Sequence, residues 1–372
     1  MRPLSIVFVG LSLSSSWGNG HATTYRALLS GLGRLGHEVL FLEREQSWYL
    51  ENRDLADPDY CTLRFYRSVD DLETHRATLR SADAVIVGSY VPDGIEVIDR
   101  IAGMGPRQLC FYDIDTPVTL ARLARGEETY VAPHQLPGFD VVFSFSGGRA
   151  LEILEGDFGV RRAAPLFCSV DAGAYRPSGE ARTWDLGYLG TYSPDRQPAL
   201  DELLLRTARL MPERRFVVAG PQYPESIRWP DNVERIDHLP PERHASFYSR
   251  QRYTLNVTRS DMIAVGWSPS VRLFEAAACA TPVISDRWDG LGDFFPEPEA
   301  IVTAATAEEV VAILSRPTKA ALDQGLAAMR IALASHTGLV RAEELAAALV
   351  PDRPQATKPV STHSTEAHHA AR

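Results

Sequence analysis

Arg272 and Glu275 lie three residues apart in the stretch Gly266–Asp286, GWSPSVRLFEAAACATPVISD, a spacing that sets them about one helical turn apart. Ser268, Pro269 and Ser270 are helix-entry residues, and Thr281-Pro282 breaks the small-residue run before a strand at Val283–Ser285. A helix start leaves N–H groups unpaired and carries partial positive charge, so the backbone around Ser268, Ser270 and Val271 can hold a phosphate. The Arg272 guanidinium adds a fork that matches phosphate oxygens. Glu275, one turn further in, can accept hydrogen bonds from a ribose diol. The stretch thus reads as a diphosphate grip followed by a sugar-ring acceptor, and the alternative is a capped core helix with a surface Arg and Glu. On the first reading, loss of Arg272 or Glu275 costs activity without unfolding the protein.

Two more clusters carry groups capable of chemistry. Gly18-Asn19-Gly20-His21 follows a first strand and opens a helix, and its glycines permit a tight turn and close approach of a ligand to backbone. Thr23 stands where a dinucleotide fingerprint needs its third glycine, which argues against an NAD(P)-dependent oxidoreductase. The loop is read as facing a sugar or acceptor, with His21 a candidate base or hydrogen-bond donor. Asp113-Ile114-Asp115-Thr116-Pro117 ends another strand. Residues two apart on a strand point the same way, so both carboxylates could share one cation. The preferred reading places Asp115 in a cleft, as base for an acceptor hydroxyl or as an orienter of substrate, with Asp113 holding the loop.

The elements that must position these groups alternate. Short apolar runs at Ser5–Gly10, Glu38–Leu42, Ala84–Val87, Leu109–Tyr112 and Val141–Phe143 read as buried parallel strands separated by helices. After a breaker-rich linker from Pro165 to Glu180 the rhythm restarts, with strands at Asp185–Gly190, Phe216–Gly220, Val233–Ile236, Tyr253–Val257 and Val283–Ser285. The expectation is α/β, with an N-terminal domain over residues 1–170, a C-terminal domain over 171–350 and a disordered tail over 351–372. Trp48–Arg80 has no clear pattern. The 372 residues carry a net charge of −10, which argues against a general nucleic-acid binder. Four scattered cysteines without a Cys-x-x-Cys pair suit a reducing cytoplasm, and no apolar run is long enough to span a membrane; a membrane-peripheral location stays open.

The Gly266–Asp286 segment resembles the donor site of group 1 glycosyltransferases, where a Gly/Pro-rich loop leads into a Glu-bearing helix, a small-residue run, a Thr-Pro and a strand. The Arg272-Leu273-Phe274-Glu275 spelling and the Asp115-x-Pro117 step resemble the spore-maturation-type branch of that superfamily. The resemblance extends over roughly residues 5–350 and includes a His336-Thr337 step before the last helix. It implies the GT-B architecture, two Rossmann-like doubly wound domains facing a central cleft, and transfer of a sugar from a nucleoside diphosphate sugar to an unidentified acceptor. By the same resemblance Thr191, Arg196 and His238 fall where donor nucleotides are bound, and no metal or other cofactor is required. Many group 1 enzymes carry a further Glu eight positions before the one matched by Glu275; here that position is Trp267. Two other functions share the shape: a nucleotide-sugar epimerase or hydrolase, and a non-catalytic sugar-nucleotide-binding scaffold.

Overall fold

The computed structural model describes residues 2–16 and 20–349. Gly18, Asn19 and the tail expected over 351–372 lie outside the described residues. Two all-parallel sheets organise the chain. The first comprises β1 (Ser5–Gly10), β2 (Glu38–Arg44), β3 (Thr62–Tyr66), β4 (Ala84–Gly88), β5 (Leu109–Asp113), β6 (Val141–Ser144) and β7 (Ala163–Pro165) in the order β3-β2-β1-β4-β5-β6-β7. The second comprises β8 (Trp184–Leu189), β9 (Phe216–Ala219), β10 (Val233–Ile236), β11 (Gln251–Asn256), β12 (Val283–Ser285) and β13 (Ile301–Thr303) in the order β10-β9-β8-β11-β12-β13.

Central strands such as β4 are buried along their whole length because helices cover both faces, which explains their unbroken apolar spelling. Each sheet therefore has a core on either side. In the first, Val7, Val9, Val85 and Phe111 face one core, and Ile6, Phe8, Ile86 and Cys110 face the other. In each sheet the strand order reverses once, between β1 and β4 and between β8 and β11. A crevice opens at the carboxyl ends of the strands at such a switch point.

The final helix, Gly338–Leu349, returns to the first sheet. Its Ala342, Leu345, Ala346 and Leu349 share a core with Leu28, Leu29 and Leu32 of helix His21–Arg34. The two helices cross closely: a Cβ on Gly31 would lie 2.5 Å from the Gly338 carbonyl oxygen. Where the chain crosses back, the Val170 N–H donates to the His336 carbonyl at 2.9 Å.

Three short strands escape the sequence pattern: β3, β7 and β13. They pair at or next to sheet edges, where three to five residues carry too little periodicity to register. The helix expected from Pro198 to Met211 is present as one continuous run, with Asp201–Arg206 wound as π-helix.

Candidate functional site

Helix Val271–Ala278 begins with Ser270 in extended conformation, and the Ser270 side chain makes no capping bond. Its hydroxyl instead donates to Asn256 Oδ1 at 2.8 Å. The helix's first N–H groups are thus left uncapped by that hydroxyl, at an end where partial positive charge gathers. Arg272, on the same turn, is buried, donating from Nε to the Leu189 carbonyl at 2.8 Å and from Nη1 to Asn256 Oδ1 at 3.1 Å. Its guanidinium also stands 4.9 Å from the centre of the Tyr188 ring. Arg272 is therefore built into the ends of β8 and β11, so its removal takes a charged donor from the Leu189 carbonyl and from Asn256. Glu275 is buried as well and accepts a hydrogen bond from Tyr248 Oη at 3.0 Å.

These groups line a cavity of about 530 Å³ between the two domains. Arg196, Arg259, Ser270, Val271, Arg272 and Glu275 come from the second domain, and Gly20, His21 and Asp115 from the first. Burial depresses the Arg196 pKa, and the charges of Arg272 and Arg259 lower it further. Arg196 Nη2 donates to the Thr191 carbonyl at 3.0 Å, while its buried Nε has no partner. Positive charge thus collects at the helix start, where a diphosphate would offset it.

Across the cavity, Asp115 accepts from Tyr90 Oη at 2.9 Å and has Arg259 Nη1 at 3.9 Å. His21 sits edge-on to Tyr90, ring centres 5.1 Å apart, with a buried and unpartnered Nδ1. Burial pushes its pKa down to about 4, so the ring is neutral at pH 7. Asp113 takes no part in the cavity lining. Strand β5 ends at Asp113, so the alternation that would bring both carboxylates to one cation stops there. Asp113 is buried and accepts from the Asp115 N–H at 3.1 Å; burial raises its pKa to about 7.

Three expected residues stand apart from the cavity. Thr191 is exposed and meets the site through its carbonyl bond to Arg196. His238 is exposed beyond the end of β10 and does not line the cavity. Ser268 is buried at the domain seam, its hydroxyl 2.6 Å from Ser146 Oγ.

Sequence reasoning missed Tyr175, His244, Tyr248 and Arg259, which also line the cavity. Tyr175 Oη and His244 Nδ1 lie 3.1 Å apart, and His244 Nε2 is 3.2 Å from the Leu239 carbonyl. His244 and Tyr248 are four apart on one helix face, a signal the sequence does contain. Thr258-Arg259 follows a central strand at its carboxyl end, where a doubly wound sheet keeps its ligand contacts.

The fold and this inter-domain site define the GT-B class of architecture, and the comparisons agree. Residues 196–347 match a family described as glycosyl transferase-like. The whole arrangement is similar to sucrose-phosphate synthase from Thermosynechococcus elongatus, at 14% identity and TM-score 0.71 over 93% of this chain and 98% of that one. It is similar too to HepE from Anabaena, solved in complex with UDP and glucose, at 13% identity and TM-score 0.64 over 93% and 99%. A third similar structure is AviGT4, a glycosyltransferase involved in avilamycin A biosynthesis, at 16% identity and TM-score 0.60 over 93% and 97%. No curated protein matches the sequence. Among the described residues no helix is long and apolar enough to cross a membrane.

Proposed function

We propose that the protein is a glycosyltransferase that moves a sugar from a nucleoside diphosphate sugar to an acceptor hydroxyl. The observation that carries the reading is the uncapped start of helix Val271–Ala278, ringed by arginines and facing a carboxylate from the other domain. A departing diphosphate needs fixed positive charge and N–H donors already in place, and the helix start with Arg196 and Arg272 supplies them. Glu275 accepts from the ribose, and Tyr248 and Tyr175 wall that end of the cavity. Asp115 takes the acceptor proton or orients the acceptor, held by Tyr90. Neutral His21, which lines the cavity, presents its ring to the sugar. Uridine is the favoured base, since HepE and an α-glucosyltransferase of the same fold were solved with UDP. Membership of the spore-maturation-type branch, a cytoplasmic location and independence from metal complete the proposal.

A thermal-shift screen against UDP, GDP, ADP, dTDP and their sugars, with and without Mg²⁺, tests it, because a ligand that binds only the folded state raises Tm. One diphosphate should stabilise the protein, with or without Mg²⁺, and the shift should vanish in Glu275→Ala. A shift that requires Mg²⁺ would restore a metal to the mechanism. Donor breakdown without any acceptor would indicate the epimerase or hydrolase, and binding without turnover over a broad acceptor panel the scaffold. No shift with any nucleotide at millimolar concentration would sink the donor site altogether.

A further inference from the structure

Immediately before the donor helix, residues 259–269 stay bonded to their own domain and reach across to the other one. Arg259 approaches Asp115, and helix Ser260–Val265 packs on helix Thr116–Ala124. Val265, partly buried, packs against the core of the first domain. The Trp267 carbonyl accepts from the Gly147 N–H at 2.9 Å and Ser268 Oγ lies 2.6 Å from Ser146 Oγ, while the Pro269 carbonyl accepts from Cys168 Sγ of the linker at 3.3 Å.

Trp267 is the centre of this contact. Its φ is +42°, a left-handed backbone that a bulky residue adopts only when its surroundings hold it. The surroundings do hold it, since its N–H donates to the Asp289 carbonyl at 2.6 Å and its indole Nε1 to Asp293 at 2.7 Å. The ring occupies a slot between two glycines from opposite domains. A Cβ on Gly148 would come within 2.3 Å of the indole, and one on Gly290 within 2.5 Å, so neither position admits a side chain while the ring is seated. The ring faces the domain seam and does not line the cavity.

We propose that residues 259–269 form an inter-domain bracket, keyed by the Trp267 indole, that fixes the phosphate-binding helix start relative to Asp115. Two residues after the indole, Pro269 leads to Ser270, so the seat of the ring against Gly148 ties the helix start, moving as one piece with its domain, to the first domain. The consequence for turnover rests on the glycosyltransferase reading; the bracket itself does not. Trp267 is on this account a positioning residue. It fills the place where relatives in the resemblance carry a Glu, but it acts on the seam.

The test compares Trp267→Ala, Gly148→Ala and the double variant, with Trp267→Phe as a ring-keeping control. Each of the first three should lower kcat by about tenfold or more, since a ~1 Å misplacement of reacting groups can cost about a hundredfold. UDP affinity should hold, because the donor contacts sit within one domain. The double variant should be no worse than the poorer single one, as two halves of one contact are not additive. Small-angle scattering should show a wider spread of domain separations in Trp267→Ala than in the native protein or Trp267→Phe. If Trp267→Ala weakens UDP binding as much as it slows turnover, Trp267 serves the donor loop locally and the bracket is overturned. Native turnover and scattering in Gly148→Ala would overturn it as well. Should the native protein bind no nucleotide, the donor reading falls while scattering still decides the bracket. If Trp267→Ala does not fold, Gly148→Ala and Trp267→Phe keep the comparison open.

Discussion

Glu275→Gln separates donor recognition from folding. Glu275 is buried, and one of its oxygens accepts from Tyr248 Oη at 3.0 Å, with Tyr248 itself fully buried. The amide has the same size, so no cavity opens, and its carbonyl oxygen can keep the Tyr248 bond. What disappears is a charged acceptor for the ribose hydroxyls. A hydrogen bond to a charged group contributes about 1.5–3 kcal/mol. At about 1.4 kcal/mol per tenfold, UDP should bind about 10- to 150-fold more weakly. Isothermal titration calorimetry with UDP and with 2′-deoxy-UDP measures this directly. The native protein should prefer UDP, and the preference should shrink in Glu275→Gln while Tm stays within a few degrees. An unchanged UDP affinity, or an unchanged preference for the ribose, would refute the assignment of Glu275 to the sugar ring.

Other expectations follow from the same geometry. Arg272→Ala should lose donor binding and also stability, by about 2–4 kcal/mol, because the Leu189 carbonyl and Asn256 lose a charged donor; a urea titration that matches the native one would contradict this. Asp115→Asn should lower kcat by about 10²–10⁴ with UDP affinity unchanged, as expected of a lost general base, and initial-rate kinetics beside calorimetry would show it. Acid should destabilise the protein through His336. This buried ring, whose Nδ1 faces Arg341 Nη2 at 2.7 Å, has its pKa lowered from 6.5 to about 4, by burial first and by the Arg341 charge second. The neutral ring is favoured in the fold, so its contribution is complete above pH 6.5 and is lost as pH falls towards 4. The loss is about 3 kcal/mol at full protonation. Urea midpoints at pH 7.5 and pH 4.5 should differ less in His336→Gln than in the native protein, and an equal difference would remove His336 from the account.

The sequence by itself determined the two doubly wound sheets. Unbroken apolar runs such as Ser5–Gly10 and Ala84–Gly88, alternating with helical segments, suit a parallel sheet covered by helices on both faces, and that pattern is local. It also determined helix Val271–Ala278, because Ser, Pro and the Thr281-Pro282 stop are short-range backbone signals. Edge strands β3 and β13 were not legible, since their burial comes from neighbours distant in sequence and not from their own period. The cavity was legible only in part for the same reason. His21, Asp115, Arg196 and Arg272 stand at helix starts and Glu275 one turn into its helix, each marked by signals local in the chain. Their convergence, with Tyr175, His244, Tyr248 and Arg259 between them, is set by how two sheets face each other. The tertiary structure alone decided that Arg272 is anchored by Leu189 and Asn256, that Asp113 and Asp115 part at the end of β5, and that Trp267 sits on the seam. Each of these depends on contacts between segments far apart in the chain, and spacing along a sequence carries no information about how one domain lies against another.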